Sequence, residues 1–148
     1  MLQAIRDIHE VGFLHCDIKP SNFAVNMVNS SCQVVMLDYG LSRQYVTASG
    51  AVRQPRVFAG FRGTVRYASV NAHENRELGR RDDLWSLFYM LVEFIQGQLP
   101  WQDIRNTNQV RQLKGLFIDN ELYHDPSPSE LEPFRCHIQN LSYSDAVS

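Results

Sequence analysis

The chain has 148 residues, 44% of them hydrophobic, and a formal net charge of −2 at pH 7. This length and composition suit a globular protein with a sizeable core, and the near-neutral charge gives no reason to expect nucleic acid or a membrane as a partner. Its three cysteines are scattered without a Cys-x-x-Cys pair, which favours a reducing compartment, cytoplasmic or cytoplasmic and nuclear, over structural zinc.

The first predicted element is a helix over residues 2–12. Leu2, Ile5 and Ile8 recur at every third position, and Gly12 follows as a stop signal. Beyond this helix the chain reads HCDIKPSN from His15 to Asn22. We expect this polar string to form a loop.

A β-hairpin is predicted next. Residues 23–25 and the apolar run 34–37 are β-prone and lie on either side of the polar stretch 29–31. The triplet Asp38-Tyr39-Gly40 follows the second strand directly. The hairpin would bring this triplet to the same cleft as the loop that precedes the first strand.

The string and the triplet together resemble the catalytic loop and the metal-binding turn of protein kinases. The resemblance implies that Asp17 accepts the proton of a substrate hydroxyl and that Lys19 balances charge on the transferred phosphate. It also implies that Asn22 and Asp38 hold magnesium with ATP, and that His15 supports the site. In this sequence a cysteine stands in place of the usual arginine before Asp17.

A simpler interpretation makes Asp17 and Asn22 loop-forming residues and Lys19 a solvated charge. It leaves the further matches downstream unexplained, so we favour the kinase interpretation. A metal-dependent hydrolase built on Asp17 and Asp38 is a third possibility, but the sequence has no convincing set of histidine ligands for it.

Residues 42–81 are basic and rich in glycine. They contain eight arginines against two glutamates, a local balance of +6. A basic segment beside a catalytic carboxylate suggests a substrate with acidic or phosphorylated residues, because arginine pairs with such groups in a bidentate manner. We also expect several of these arginines to anchor the segment to its own scaffold.

The end of this segment reads GFRGTVRYASVNAH from Gly60 to His73. It resembles the casein kinase one group, and with the run DDLWSLFYMLVEF from Asp82 to Phe94 it resembles the tau-tubulin kinase branch most. The resemblance implies that Thr64 bonds to Asp17 and Lys19 and that Arg66 helps to bind anionic substrate groups. It also implies that Asp83 supports the catalytic loop by bonding to its backbone.

Residues 82–96 predict a helix buried on all sides. Its apolar run, residues 84–95, has 12 residues, whereas a membrane span needs about 20. Val110, Leu113 and Phe117 indicate another helix, residues 119–132 an acidic solvated loop, and residues 131–141 a last helix. After the Leu-Pro-Trp triplet the basic residues are few and spread out, and we expect them to form at most a thin basic cluster: Arg105, Arg111 and Lys114.

The sequence contains no G-x-G-x-x-G loop, and its only lysines are Lys19 and Lys114. The glycine-rich loop and nucleotide-anchoring lysine of a kinase small lobe are therefore not in this chain. We predict a mainly α fold with a small β-hairpin. It corresponds to the large, C-terminal lobe of the kinase fold without the small lobe, and residues 1–148 form a partial kinase domain.

The predicted function is that of a serine/threonine protein kinase of the tau-tubulin kinase type, using ATP and Mg²⁺. Its expected partner is a protein substrate, acidic or cytoskeletal like tau or tubulin, and the isolated chain is predicted to be inactive. The alternative is a non-catalytic, pseudokinase-like interaction module, for which Cys16 and Tyr39 are the supporting features. Retention of all four candidate catalytic and metal-binding side chains argues against that alternative.

Overall fold

The computed structural model describes residues 1–28, 31–119 and 129–146. The prediction of a mainly α fold with a small hairpin is confirmed, since these residues form five α-helices and two small antiparallel pairs of strands. The helices are α1 (Leu2–Glu10), α2 (Val70–His73), α3 (Arg80–Gln96), α4 (Thr107–Ile118) and α5 (Glu132–Gln139); the strands are β1 (Phe13–Leu14), β2 (Phe23–Val28), β3 (Ser31–Met36) and β4 (Arg43–Gln44).

Helix α3 lies at the centre of the fold. Every residue from Asp82 to Met90 is buried, as expected for a helix enclosed on all sides, but Phe94 and Ile95 are 54% and 55% exposed, so its last turn lies at the surface. The helix begins two residues earlier than predicted. The Asp82 carboxylate accepts the Gly79 backbone N–H at 2.8 Å and thereby satisfies a free donor at the helix start.

An aromatic cluster joins α3 to the helices that follow it. The ring of Trp101 meets Tyr89 edge-on at 5.1 Å and Phe117 edge-on at 5.4 Å, which is the favourable orientation for aromatic pairs. Phe88 adds contacts to Phe117 and Phe134. The main hydrophobic core is built around these rings.

Helix α1 packs against this core through Ile5 and Ile8. It ends at Glu10 rather than at residue 12, because Gly12 adopts a left-handed conformation with φ of 87° that only glycine adopts without strain. A side chain at Gly12 would also collide with Val46, whose Cγ2 lies 2.5 Å from the position of an added Cβ.

The hairpin β2–β3 is longer than predicted, running from Phe23 opposite Met36 to Val28 opposite Ser31. Residues 29 and 30 of the predicted turn lie outside the described residues, and Leu37 follows the end of β3 instead of belonging to it. The second pair, β1 with β4, was not predicted, since two-residue strands carry no periodic signal.

Helix α5 spans Glu132–Gln139, inside the predicted range 131–141. Most of the predicted acidic loop, residues 120–128, lies outside the described residues. Within the part of the chain that is described, no helix has the length and apolarity required to cross a bilayer.

Candidate active site

The loop that contains the candidate catalytic residues is held by one buried carboxylate from α3. Asp83 is 3% exposed, and its two oxygens accept the backbone N–H groups of His15 and Cys16, each at 2.9 Å. His9 Nε2 lies 2.8 Å from the same carboxylate. A buried charge is costly unless it is hydrogen-bonded, and these three contacts satisfy it. The two backbone bonds are the ones that the resemblance to protein kinases implies for Asp83.

Cys16 lies in the left-handed region, with φ of 66°, which is strained for a residue with a side chain. The bonds of Asp83 to the neighbouring N–H groups maintain this conformation. Burial raises the pKa of the Cys16 thiol, so it stays protonated. A protonated thiol is a poor nucleophile, and Cys16 is a structural residue of the loop.

His15 is fully buried and connects the loop to the end of β3. The backbone N–H of Asp17 points to His15 Nδ1 at 3.3 Å, and Nε2 lies 3.0 Å from the carbonyl oxygen of Leu37. Since Nδ1 accepts, Nε2 carries the proton and donates to Leu37. The ring also meets Tyr39 edge-on at 5.5 Å. His15 thus ties Asp17 to the residues around Asp38.

Asp17 is the centre of a compact polar cluster. Its Oδ1 accepts the Thr64 hydroxyl at 2.6 Å, and its Oδ2 lies 2.9 Å from Lys19 Nζ. Lys19 also donates to Thr64 Oγ1 at 3.2 Å. The amide of Asn22 donates to the backbone oxygen of Asp17 at 2.9 Å. The structure therefore brings together four of the predicted site residues, one of which is contributed from more than 40 positions downstream.

Asp38 joins this group through the backbone. The N–H of Leu37 donates to the carbonyl oxygen of Asn22 at 2.8 Å, which places the next residue beside the Asn22 loop. The Asp38 carboxylate accepts the Gly40 N–H at 3.1 Å. Because Asn22 uses its amide N–H₂ as donor, its amide oxygen is left to act as a ligand. A carboxylate and an amide oxygen are the kinds of hard donor that magnesium prefers. Among the described residues, no group of three or more His, Cys, Asp or Glu side chains could hold a metal ion, so a magnesium ion here would need further ligands from a bound nucleotide or water.

Residues 64–68, called here the acceptor segment, border Asp17 through Thr64. Arg66, the predicted anion-binding residue of this segment, is paired with Glu93 from α3 at 3.2 Å. Glu93 also accepts the Tyr67 hydroxyl at 2.5 Å, and Trp101 Nε1 donates to the carbonyl oxygen of Arg66 at 2.8 Å. The charge of Arg66 is thus engaged within the protein, which its position in the sequence did not indicate.

Lys114 was expected in a thin basic cluster, and this expectation is wrong because the side chain is fully buried. Its Nζ donates to the carbonyl oxygens of Val65 at 2.7 Å and Ala68 at 2.5 Å, and lies 3.2 Å from His73 Nε2. The rings of Tyr89 and Trp101 lie 5.0 and 5.3 Å from it. Burial lowers the pKa of Lys114 well below its usual value. Lys114 therefore anchors the backbone of the acceptor segment to the hydrophobic core.

A sequence signal for Lys114 exists in the spacing of α4. The buried residues of this helix are Val110, Lys114 and Phe117, and positions four and seven apart share one helix face. A lysine on an apolar stripe points into the core and needs buried acceptors there. The charge of Lys114 by itself suggested a place in a basic cluster, whereas this spacing indicates a buried position.

The arginines of residues 42–81 are all anchored to the protein itself. Arg43 and Arg56 both pair with the carboxylate of Glu77, which is 3% exposed at its side chain. The others bind carboxylates, backbone carbonyls or a tyrosine: Arg53, Arg62, Arg66, Arg76, Arg80 and Arg81. The basic composition of this segment therefore reflects its internal anchoring, although the guanidinium side chains of Arg56 and Arg66 remain 47% and 42% exposed.

Comparison with known proteins agrees with this geometry. The family described as protein kinase domain matches residues 1–141. The chain belongs to the protein kinase family. Its relatives include a probable serine/threonine-protein kinase of Dictyostelium discoideum, which is 44% identical over 98% of this chain and 29% of its own length.

Two relatives from Caenorhabditis elegans extend the comparison. A putative casein kinase I is 39% identical over 78% of this chain and 34% of its own length, and the serine/threonine-protein kinase spe-6 is 36% identical over 97% and 40%. The chain spans less than half of the length of each relative named here. Kinase family membership and the relationship to serine/threonine kinases, including a casein kinase I-like protein, are therefore shown.

Proposed function

We propose that residues 1–148 form part of the large lobe of a serine/threonine protein kinase domain resembling the tau-tubulin kinase branch. Within a complete domain it transfers the γ-phosphate of ATP to serine or threonine hydroxyls of a protein. The observation that carries the proposal is the cluster around Asp17, in which Lys19, Asn22 and Thr64 each lie within hydrogen-bonding distance of Asp17.

In this proposal Asp17 orients the substrate hydroxyl and accepts its proton as the oxygen attacks phosphorus. The Thr64 hydroxyl fixes one carboxylate oxygen, and Lys19 lies against the other. Lys19 stabilises negative charge on the transferred phosphoryl group, which is the main electrostatic task in this reaction. Because positioning supplies much of the catalysis, His15 and Asp83 contribute by fixing the backbone on which Asp17 lies.

The amide oxygen of Asn22 and the carboxylate of Asp38 are proposed to hold magnesium together with the ATP phosphates. Magnesium is usually bound by one or two protein ligands and by substrate phosphates, so a pair of ligands suffices. When bound, it neutralises charge on the phosphates as the bond to the leaving oxygen breaks. Asp38 has a left-handed backbone conformation, with φ of 58°, and this conformation turns the chain at Asp38-Tyr39-Gly40.

The proposed partners are ATP and a protein substrate, acidic or cytoskeletal, and the proposed location is the cytoplasm, with or without the nucleus. Free cysteines at positions 16, 32 and 136 are compatible with a reducing compartment. A non-catalytic interaction module remains the second candidate, on the ground that Cys16 and Tyr39 replace the usual residues.

The test is phosphotransfer by a complete kinase domain that contains these residues, with Asp17→Asn and Asp38→Ala as variants. We expect Asp17→Asn to lower the rate by about 10²–10⁴-fold with ATP affinity retained, as for loss of a general base. Asp38→Ala should instead weaken magnesium-dependent ATP binding. The 148-residue chain alone should show no turnover. A complete domain that binds protein partners but transfers no phosphate would favour the interaction module.

A further inference from the structure

The acceptor segment combines a fixed backbone with one exposed cationic side chain. Lys114 binds the carbonyl oxygens of Val65 and Ala68, and Trp101 binds that of Arg66. The backbone on both sides of Arg66 is therefore immobilised. Thr64, two residues before Arg66, bonds to Asp17, so the backbone that carries Arg66 follows directly from a residue of the candidate site.

Glu93 is the ion-pair partner of this guanidinium. One carboxylate oxygen lies 3.2 Å from Arg66 Nη1, and the other accepts the Tyr67 hydroxyl at 2.5 Å. The Glu93 side chain is 13% exposed, whereas that of Arg66 is 42% exposed. The carboxylate is thus mostly buried and hydrogen-bonded to Tyr67, whereas the Arg66 side chain remains partly open to solvent.

Arg66 is surrounded by negative charge, unlike the arginine of a free anion-binding site. The hydrogen bond with Tyr67 and the negative charges of Glu93 and Asp103 raise the pKa of Arg66. A phosphate on a substrate carries about −1.5 to −2 charges, and at this position it would meet two carboxylates as well as one arginine. Like charges brought together are unfavourable, and this is a common way of excluding a ligand.

We propose that Glu93 is a specificity-determining residue: by neutralising Arg66 it prevents the acceptor segment from selecting substrates that carry a phosphate or carboxylate at that subsite. This inference rests on the proposed kinase function. Glu93 would act by pairing with Arg66, and it would not contact the transferred phosphate. A preference for an acidic protein substrate would then come from cationic side chains other than Arg66.

The test uses Glu93→Gln in a complete kinase domain. Glutamine keeps an oxygen that can accept the Tyr67 hydroxyl but removes the negative charge. Substrates are serine peptides carrying one phosphoserine at each flanking position in turn, each paired with its unphosphorylated counterpart. We expect the ratio of kcat/KM for the phosphorylated over the unphosphorylated peptide to rise by about three- to tenfold at one flanking position, as for a newly available charged hydrogen bond near the surface.

Two further variants make the result specific. Adding Arg66→Gln to Glu93→Gln should abolish the gain, because Arg66 is the group that Glu93 releases. Glu10→Gln changes the net charge equally, and Glu10 belongs to an exposed pair with Arg6 on α1, so the ratio should not change in that control. An unchanged ratio in Glu93→Gln, or a gain that survives in the double variant, would overturn the inference.

Phosphopeptide affinity measured by fluorescence anisotropy provides a readout that does not depend on catalysis. The same gain and the same dependence on Arg66 are expected in binding. If the unmodified domain transfers no phosphate to any peptide, the proposed function fails. The binding measurement then still decides whether Glu93 suppresses anion recognition.

Discussion

The candidate catalytic loop, residues 15–22, and the acceptor segment are fixed by opposite kinds of anchor. Asp83 accepts two backbone N–H groups of the loop, whereas Lys114 donates to two backbone carbonyls of the segment. Both side chains are buried and both bridge distant parts of the chain. The candidate catalytic loop is thus anchored to the core by a carboxylate, and the acceptor segment by an amine.

The difference between these anchors lies in what their loss leaves behind. Unsatisfied buried N–H groups are rare and costly, while a carbonyl with two lone pairs tolerates the loss of one partner better. In addition, the pKa of Lys114 is lowered by burial, so part of its contribution is offset by desolvation. We therefore expect the carboxylate anchor to matter more for stability than the amine anchor.

The largest effect is expected for Asp83→Ala. The change leaves the N–H groups of His15 and Cys16 without a partner, at about 1–3 kcal/mol each, so the free energy of unfolding should fall by about 2–6 kcal/mol. Denaturant unfolding of a complete domain measures this loss, and activity should fall with it. Asp7→Ala, which changes an exposed residue of α1, is the matched control. A loss of activity without a loss of stability would contradict the role of Asp83 as an internal support.

The second effect is that of Lys114→Met. Methionine fills a similar volume without the desolvation cost, so the loss of stability should be smaller, about 1–2 kcal/mol. The KM for a protein substrate should rise more than the KM for ATP, because the acceptor segment loses its support while Asn22 and Asp38 do not. A larger destabilisation than that of Asp83→Ala would reverse the ranking of the two anchors.

The same pair shows how far the sequence predicts the site. Asp83 was predicted because it lies in a long string of family-like residues at the start of an apolar helix. Thr64 was found in the same way, and its bonds to Asp17 and Lys19 are present in the structure. Motifs of this kind carry tertiary information because the chemistry requires those residues at those positions.

Lys114 and Glu93 were missed for a physical reason. A charged residue is usually solvated. Lys114 becomes an anchor only through its tertiary contacts with the carbonyl oxygens of Val65 and Ala68 and with the aromatic rings. The helix bounds differed for a related reason. Gly12 ends α1 early through its left-handed conformation. A side chain there would collide with Val46, 34 positions away, a constraint that periodicity within the helix does not contain.

A third buried anchor, Glu77, holds a different stretch of the chain and provides the next prediction. It binds Arg43 and Arg56 and so fixes residues 43–56 without a phosphate. Cys16 carries no positive charge that an added phosphate on Thr47 or Ser49 could satisfy. We expect exhaustive phosphatase treatment of a complete domain to change its initial rate by less than about twofold. Glu77→Gln keeps an acceptor oxygen but removes the charge, so the free energy of unfolding should fall by about 1–2 kcal/mol.

The control for this third prediction is Glu74→Gln, which removes a carboxylate that is 27% exposed and pairs with Arg76 and Arg111 at the surface. Its effect should be well below that of Glu77→Gln. A rate that collapses on dephosphorylation and returns when Thr47 or Ser49 is phosphorylated again would show that Glu77 does not replace the phosphate.

The smallest expected effect concerns His73, the acceptor beside Lys114. Burial and the charge of Lys114 lower the pKa of His73 from its usual 6.5 to about 4. Between these values the unfolded chain binds a proton that the folded chain does not, so stability is greatest above pH 6.5 and falls as the pH drops toward 4. Because the ring is only partly buried, we expect this component to be about 1 kcal/mol.

The measurement is the free energy of unfolding at several pH values between 4 and 7, for the unmodified protein and for His73→Gln. Glutamine can still accept from Lys114 but does not titrate, so this part of the pH dependence should disappear in the variant. In Lys114→Met the like charge beside His73 is absent, and the pH dependence should become shallower without vanishing, since burial is the larger cause. Identical pH dependence in the unmodified protein and in His73→Gln would show that folding does not lower the pKa of His73.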